Sequence, residues 1–191
     1  MLDKVKLPEA TAQKVWDEQQ KKHEDKQNLE ISQEQINKLV ELKTSADFYD
    51  LTIFLLLASG RREQELLNLN PQQTSDPNSF RFDQQQKKKE KVEYDVPLYS
   101  IEFKEFDKLI SKMKAIKPAN IHKDTMLKKL RSRLRIIIGN DTIVIHNLRM
   151  IYTYMMYDTS DKTTPFPTFA KRLLGHDRTD TSVHYNRLRL I

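Results

Sequence analysis

Apolar residues recur along this chain at two different periods. From Ile31 the spacing is helical, with Ile36, Leu39 and Val40 on one face. Ser32 followed by Gln35 forms a capping box, and Ile31 with Ile36 is spaced as a hydrophobic staple. The stretch from Ala46 to Ser59 is apolar on nearly every side, which predicts a buried helix. Ser45 is its N-cap candidate and Gly60 its C-terminal stop. A short helix over Glu63 to Leu69 and a loop from Pro71 to Ser79 follow. The period then changes to two. Phe80 and Phe82, then Val92, Tyr94, Val96 and Leu98, predict strands over Phe80 to Gln86 and Val92 to Tyr99, joined by the turn Lys87-Lys88-Lys89-Glu90-Lys91.

Helical spacing returns in three longer segments. Ile101 to Ala115 turns Phe103, Phe106, Leu109, Ile110 and Met113 inward, and Lys123 to Ile138 turns Leu127, Leu130, Leu134 and Ile137 inward. A helix from Ile145 to Tyr157 comes next, and the two prolines within Thr159 to Thr168 predict a loop. Phe169 to Leu174 is a short helix closed by Gly175, and Thr179 to Ser182 offers N-caps for a last helix carrying Tyr185. The fold class is mainly α with one small antiparallel hairpin or sheet. Residues 1–28 are polar, hold charges of both signs and show no sustained apolar stripe, so they read as a linker, an arm or a loosely docked helix. Residues 29–191 form the folded domain.

Charge narrows the partner. The net charge of +6 permits a nucleic-acid ligand, and the excess is concentrated. Between Lys108 and Arg135 stand ten Lys or Arg and one acid, Asp124. Such a run is ordinarily a solvated helix face. Beside a phosphate-binding signature it becomes a DNA-backbone contact, with Lys128, Lys129, Arg131, Arg133 and Arg135 as the residues. With no cysteine, disulfides and Cys-based zinc sites are excluded. No stretch reaches membrane-spanning length and no signal-peptide pattern is present, so an intracellular protein acting on DNA is expected. No Walker loop and no acidic triplet of a two-metal nuclease is found.

The candidate chemistry lies in three short segments. Ser59-Gly60-Arg61-Arg62-Glu63-Gln64-Glu65 closes the buried helix, His146-Asn147-Leu148-Arg149 opens a later one, and Leu173-Leu174-Gly175-His176 precedes Tyr185. His146 and Arg149 are three apart, so one helix face can present both to one phosphate. A phosphodiester in reaction gathers charge on its non-bridging oxygens, and fixed cations stabilise it. Arginine suits this task because its planar fork grips two oxygens and keeps its proton. A tyrosine hydroxyl can then attack in line and hold the phosphate covalently.

In chain order, Arg62, His146-x-x-Arg149, Gly175-His176 and Tyr185 resemble the catalytic signature of the tyrosine recombinase (integrase) family, over roughly Ile31 to Tyr185. The doubled Arg61-Arg62 departs from the Leu or Met usual before the first arginine and is similar to the hairpin telomere resolvases. The resemblance implies the tyrosine recombinase catalytic-domain fold. It implies an enzyme in which Tyr185 attacks DNA to leave a 3′-phosphotyrosine, Arg62, Arg149 and His176 hold the phosphate, and His146 assists proton transfer. Glu65 would orient Arg62, and Lys87 or Lys89 in the hairpin turn would protonate the leaving 5′ hydroxyl, with no metal or nucleotide cofactor. Arg61, His122, His184 and the neighbouring Tyr152, Tyr154 and Tyr157 are read as structural or incidental. The partner is double-stranded DNA, bound by a homo-oligomer or, for an isolated domain, a monomer. Site-specific recombination is the leading outcome, with telomere resolution or topoisomerase IB-like relaxation as alternatives. A rival of another class is a non-catalytic DNA-packaging protein with the same fold. Little chain precedes the domain, so an isolated domain and a minimal viral or mobile-element enzyme are both expected readings.

Overall fold

The computed structural model describes residues 29–83, 93–176 and 188–191. In chain order it contains β1 (Leu29–Ile31), α1 (Gln33–Glu41), α2 (Phe48–Ser59), α3 (Glu63–Leu67), β2 (Gln72–Gln73), β3 (Ser79–Phe82), β4 (Tyr94–Pro97), α4 (Phe103–Ala115), α5 (Lys123–Ile138), α6 (Ile145–Asp158), α7 (Phe166–Leu174) and β5 (Leu188–Leu190). The expected hairpin turn, the last helix with Tyr185, and the N-terminal arm lie outside the described residues.

Helix α2 is the axis of the core. Every residue in it except Tyr49 is buried, and α1, α4, α5 and α6 all pack against it. Being apolar on all sides, it can be stable only when surrounded. Its buried hydroxyls are satisfied locally: Thr52 donates to the Phe48 carbonyl and Ser59 to the Leu55 carbonyl, each at 2.7 Å. Asp50 is its one buried charge. Arg133 of α5 grips it through two bonds of 2.6 and 2.9 Å, and Ser45 donates a third of 3.0 Å. The Arg133 bonds hold the Asp50 carboxyl below its ordinary range against the opposing effect of burial.

The sequence expectation for the start of α2 needs correction. The N-cap is Asp47, whose carboxylate accepts from the Tyr49 and Asp50 amides at 2.8 and 3.0 Å. Ser45 stands two residues too early, because α1 continues through a 3₁₀ turn over Leu42–Thr44. The Ser45 hydroxyl instead accepts from the Asp47 amide at 3.1 Å. At α1 the expected capping box is present, with Ser32 and Gln35 bonded reciprocally at 2.9 and 3.2 Å.

Two further boundaries differ. Helix α7 begins at Phe166, not Phe169, with Pro165 as N-cap and Pro167 in the first turn. Proline is tolerated there because first-turn amides have no intrahelical partner to lose. Helix α5 buries Met126, Leu130, Leu134 and Ile138, whereas Leu127 and Ile137 are half-buried. The inward row steps by four, one residue away from the expected stripe at each end.

The hairpin is antiparallel as expected, pairing Phe80 with Val96 and Phe82 with Tyr94. The two-residue strand β2 extends it to three strands along β3, inside the predicted loop. Phe80 stacks on Phe106 of α4 with centroids 5.2 Å apart, which seats the sheet on the helical core. Strands β1 and β5, both unexpected, pair in parallel with Leu29 opposite Leu188 and Ile31 opposite Leu190. This pairing returns the chain end after Tyr185 to the start of α1. Among the described residues, no helix is long and apolar enough to cross a membrane.

Helix α2 ends at Gly60 in the left-handed region, φ +61°. A Cβ there would lie 2.1 Å from the ring of Tyr152, which is fully buried and donates to the Pro97 carbonyl at 2.7 Å. Gly139 ends α5 at φ +68° with nothing within 4 Å of its own imagined Cβ. Gly139→Ala is therefore expected to cost only the left-handed penalty, about 1 kcal/mol. Gly60→Ala should cost about 3 kcal/mol through the added overpacking, or prevent folding. Thermal or urea denaturation of the two variants checks this, and equal destabilisation would contradict it.

Candidate active site

The end of α2, the start of α3, the first turns of α6 and the end of α7 meet at one place, and the last three bring residues of the expected signature. Gly60 reverses the chain. Arg62 then stands as the N-cap of α3, with Glu65 three residues on. The buried Glu65 carboxylate accepts from the Arg62 amide at 3.0 Å and from its guanidinium at 2.7 Å. Arg62 itself keeps 28% of its side chain exposed. Burial alone would raise the Glu65 pKa. The Arg62 amide and the charges of Arg61, Arg62 and Arg149 outweigh burial and hold it below the ordinary carboxylate value. Glu65 thus stays ionised, and the outer part of Arg62 is aimed by a fixed anion.

Arg149 comes from α6, on the turn after His146. It is only 3% exposed. Its guanidinium donates to the Gly60 carbonyl and, at 3.1 Å, to the Leu174 carbonyl at the end of α7. The same nitrogen lies 3.5 Å from Nε2 of His176. Those carbonyls are among the acceptors a helix leaves unbonded at its C-terminus, where its dipole also favours a cation. Past Leu174, Gly175 takes φ +64°, and the His176 amide returns to the Lys171 carbonyl at 2.9 Å. His176 is fixed in backbone as well as side chain.

The imidazole of His176 is held down to about 4. Burial is the main cause, followed by the charges of Arg149, Arg62 and Arg61 and by His146. Three guanidiniums, those of Arg61, Arg62 and Arg149, act on one carboxylate, Glu65. Among the described residues, three guanidiniums thus stand around one carboxylate, with His176 neutral at neutral pH. Partly desolvated guanidiniums of this kind suit an anion. Among the described residues, no group of His, Asp or Glu of a size to hold a metal occurs.

Arg62, Glu65, His146, Arg149 and His176 are thus brought together. Lys87, Lys89 and Tyr185 lie outside the described residues, as does His184. The rival tyrosines serve packing. Tyr152 is fully buried, with burial raising its hydroxyl pKa far above ordinary, and Tyr157 meets Phe166 and Phe169 edge-on at 5.1 and 5.2 Å. His122 caps α5 by accepting from the Asp124 amide.

Sequence reasoning set Arg61 aside, yet it is buried to 2% at the centre of this cluster. A signal for it was available: an arginine directly after an apolar helix and a chain-reversing glycine has the core on its inner side. The basic residues of α5 divide. Lys128 and Arg131 are exposed, and Lys129 lies 5.8 Å from the Tyr49 ring centre. Arg135 is 3.5 Å from Asp141, while Arg133 is committed to Asp50.

A family model described as the telomere resolvase ResT/TelK catalytic domain matches residues 25–188. Among solved structures, protelomerase TelA covalently complexed with substrate DNA aligns with a TM-score of 0.72 at 16% identity, covering 97% of this chain and 68% of that one. Protelomerase TelK complexed with substrate DNA aligns with a TM-score of 0.73 at 16% identity, covering 97% of this chain and 43% of that one. A TelA mutant complexed with DNA hairpin product gives 0.70 at 17% identity over 95% of this chain and 66% of that one. These likenesses establish the fold. The curated proteins contain no match to this sequence.

The depressed pKa of His176 sets a pH dependence. Folding favours the neutral imidazole, so its contribution to stability is complete above its ordinary value of 6.5 and is lost as pH falls toward about 4. NMR titration should place the His176 midpoint near 4, and His176→Gln should flatten the decline of stability between pH 6.5 and 4. A midpoint near 6.5 would show that the imidazole is neither desolvated nor beside the arginines.

Proposed function

The chain belongs to the telomere resolvase ResT/TelK catalytic-domain family, and from this we propose that it breaks and rejoins double-stranded DNA through a 3′-phosphotyrosine, producing hairpin ends. The observation that carries the reading is the convergence of Arg62 at the start of α3, His146 and Arg149 of α6 and His176 after α7 on one site that holds several guanidiniums. The covalent and hairpin-product complexes of the TelA relatives support it. General site-specific recombination, the leading outcome from sequence alone, becomes the alternative.

In the proposed reaction the Tyr185 oxygen attacks a DNA phosphate in line, and the bond to the 5′ oxygen breaks. Arg62 and Arg149 bind the non-bridging oxygens as charge accumulates there. Glu65 and the backbone carbonyls hold both guanidiniums in advance, so no reorganisation is needed during the step. His176, neutral beside Arg149, donates a hydrogen bond to the same phosphate. His146, on the exposed side of α6, accepts the tyrosine proton. Lys87 or Lys89 gives a proton to the departing 5′ oxygen, which arginine cannot do. The phosphotyrosine conserves the energy of the broken bond. Rejoining is the reverse attack by a 5′ hydroxyl, and a hairpin results when that hydroxyl belongs to the complementary strand. Each chain brings one clamp and two strands must be cut, so two copies act on one site. Exposed Lys128, Lys129, Arg131 and Arg135 grip the DNA backbone.

Two outcomes are expected. A nicked suicide duplex bearing the correct site should trap a covalent adduct on a denaturing gel, and Tyr185→Phe should abolish it while changing DNA affinity less than about twofold. Attachment mapped to Tyr152 or Tyr157, or an adduct with the Phe variant, would overturn the assignment. Replacing Lys128, Arg131 and Arg135 with Ala should flatten the slope of log affinity against log salt by about 0.9 for each phosphate that is no longer bound. The weakening should be similar for all sequences, and an unchanged slope would place the DNA elsewhere. Arg133 is excluded from this set because removing it would strand Asp50.

A further inference from the structure

Arg61 has more connections than any role in simple packing requires. Its Nε donates to the Ser59 carbonyl at 3.1 Å, one terminal nitrogen donates to the Tyr94 hydroxyl, and the other reaches the Leu173 carbonyl at 3.4 Å. The guanidinium carbon lies over two rings, 5.1 Å from the centre of Phe82 and 5.6 Å from that of Tyr94. Phe82 and Tyr94 are themselves a cross-strand pair of the hairpin. The Tyr94 hydroxyl then donates to the Leu174 carbonyl at 3.2 Å, the same oxygen that Arg149 binds. One side chain therefore joins the end of α2, both strands of the hairpin and the last carbonyls of α7, immediately before Gly175 and His176.

We propose that Arg61 is a positioning residue: its fork and its cation–ring contacts lock the hairpin to the C-terminal end of α7 and so hold His176 beside Arg149. It does not touch the phosphate, since at 2% exposure its donors are spent on protein acceptors. A lysine could keep the charge but not the planar fork that reaches three separate acceptors. The assignment rests on the proposed cleavage reaction only for its catalytic consequence. The geometry it describes can be tested without DNA.

The discriminating variant is Arg61→Lys, compared with Arg61→Met and with Tyr94→Phe, which deletes only the hydroxyl relay. Each is checked for folding by circular dichroism below its melting temperature. Among the described residues, the charged and titratable groups acting on His176 are Arg149, Arg62, Arg61 and His146. Because lysine retains the local charge, a change in the His176 titration in that variant reports displacement rather than weakened repulsion. We expect the midpoint to rise from about 4 toward 6.5 in Arg61→Lys, and to move the same way by less in Tyr94→Phe. Single-turnover cleavage at saturating DNA should fall about 100-fold in Arg61→Lys, the scale of a 1 Å misplacement, with Kd unchanged within about twofold. A titration and rate like those of the unsubstituted chain would overturn the proposal. So would a fall in affinity matching the fall in rate, which would mean that Arg61 binds DNA directly. If the unsubstituted chain forms no adduct, the cleavage reading fails, and the titrations of Arg61→Lys and Tyr94→Phe still decide whether Arg61 positions His176.

Discussion

The arrangement depends on buried guanidiniums bonded to backbone carbonyls. At 3% exposure Arg149 is held by the Gly60 and Leu174 carbonyls, which accept from it, and Glu65 lies within electrostatic reach. An unpaired buried cation would cost far more than a small domain can offset. The requirement works in both directions. The carbonyls exist at the right place because α2 and α7 both stop in left-handed turns there, and the turns are held because arginines bind their exposed acceptors. Clamp and fold are the same set of bonds.

Two charge clusters among the described residues are built differently. Asp50 and Arg133 show how the same chain builds a closed pair: two bonds, one carboxylate, one guanidinium. Around Arg149 it does the opposite, setting three guanidiniums against Glu65. Burial, and after it the charges of these arginines, keeps His176 neutral.

The sequence revealed those features that rest on local pattern. The Ser32–Gln35 box, the bounds of α5, the hairpin pairing and the inward residues of α4 follow from period, caps and turn chemistry. Asp47 displaced Ser45 because a 3₁₀ turn lengthened the preceding helix, which no propensity signals. Pro165 and Pro167 read as loop but sit in the first turn of α7, the one helical place they fit. Strands β1 and β5 are three residues each from opposite ends of the chain, too short for a periodic signal and joined only by tertiary pairing. At the site, Arg62, His146, Arg149 and His176 were legible from order and spacing. Arg61 was not, because its value comes from Phe82, Tyr94 and Leu173, which are distant in sequence. The family resemblance supplied a role for Arg62 and none for its neighbour.

The most direct test of the central claim is diffraction from crystals of the chain with a nicked DNA duplex and orthovanadate, which mimics the five-coordinate phosphate. Vanadate oxygens should lie about 3 Å from the side chains of Arg62, Arg149 and His176, with the Tyr185 oxygen as an apical ligand. Vanadate bound elsewhere, or Arg62 and Arg149 turned away from it, would contradict the clamp.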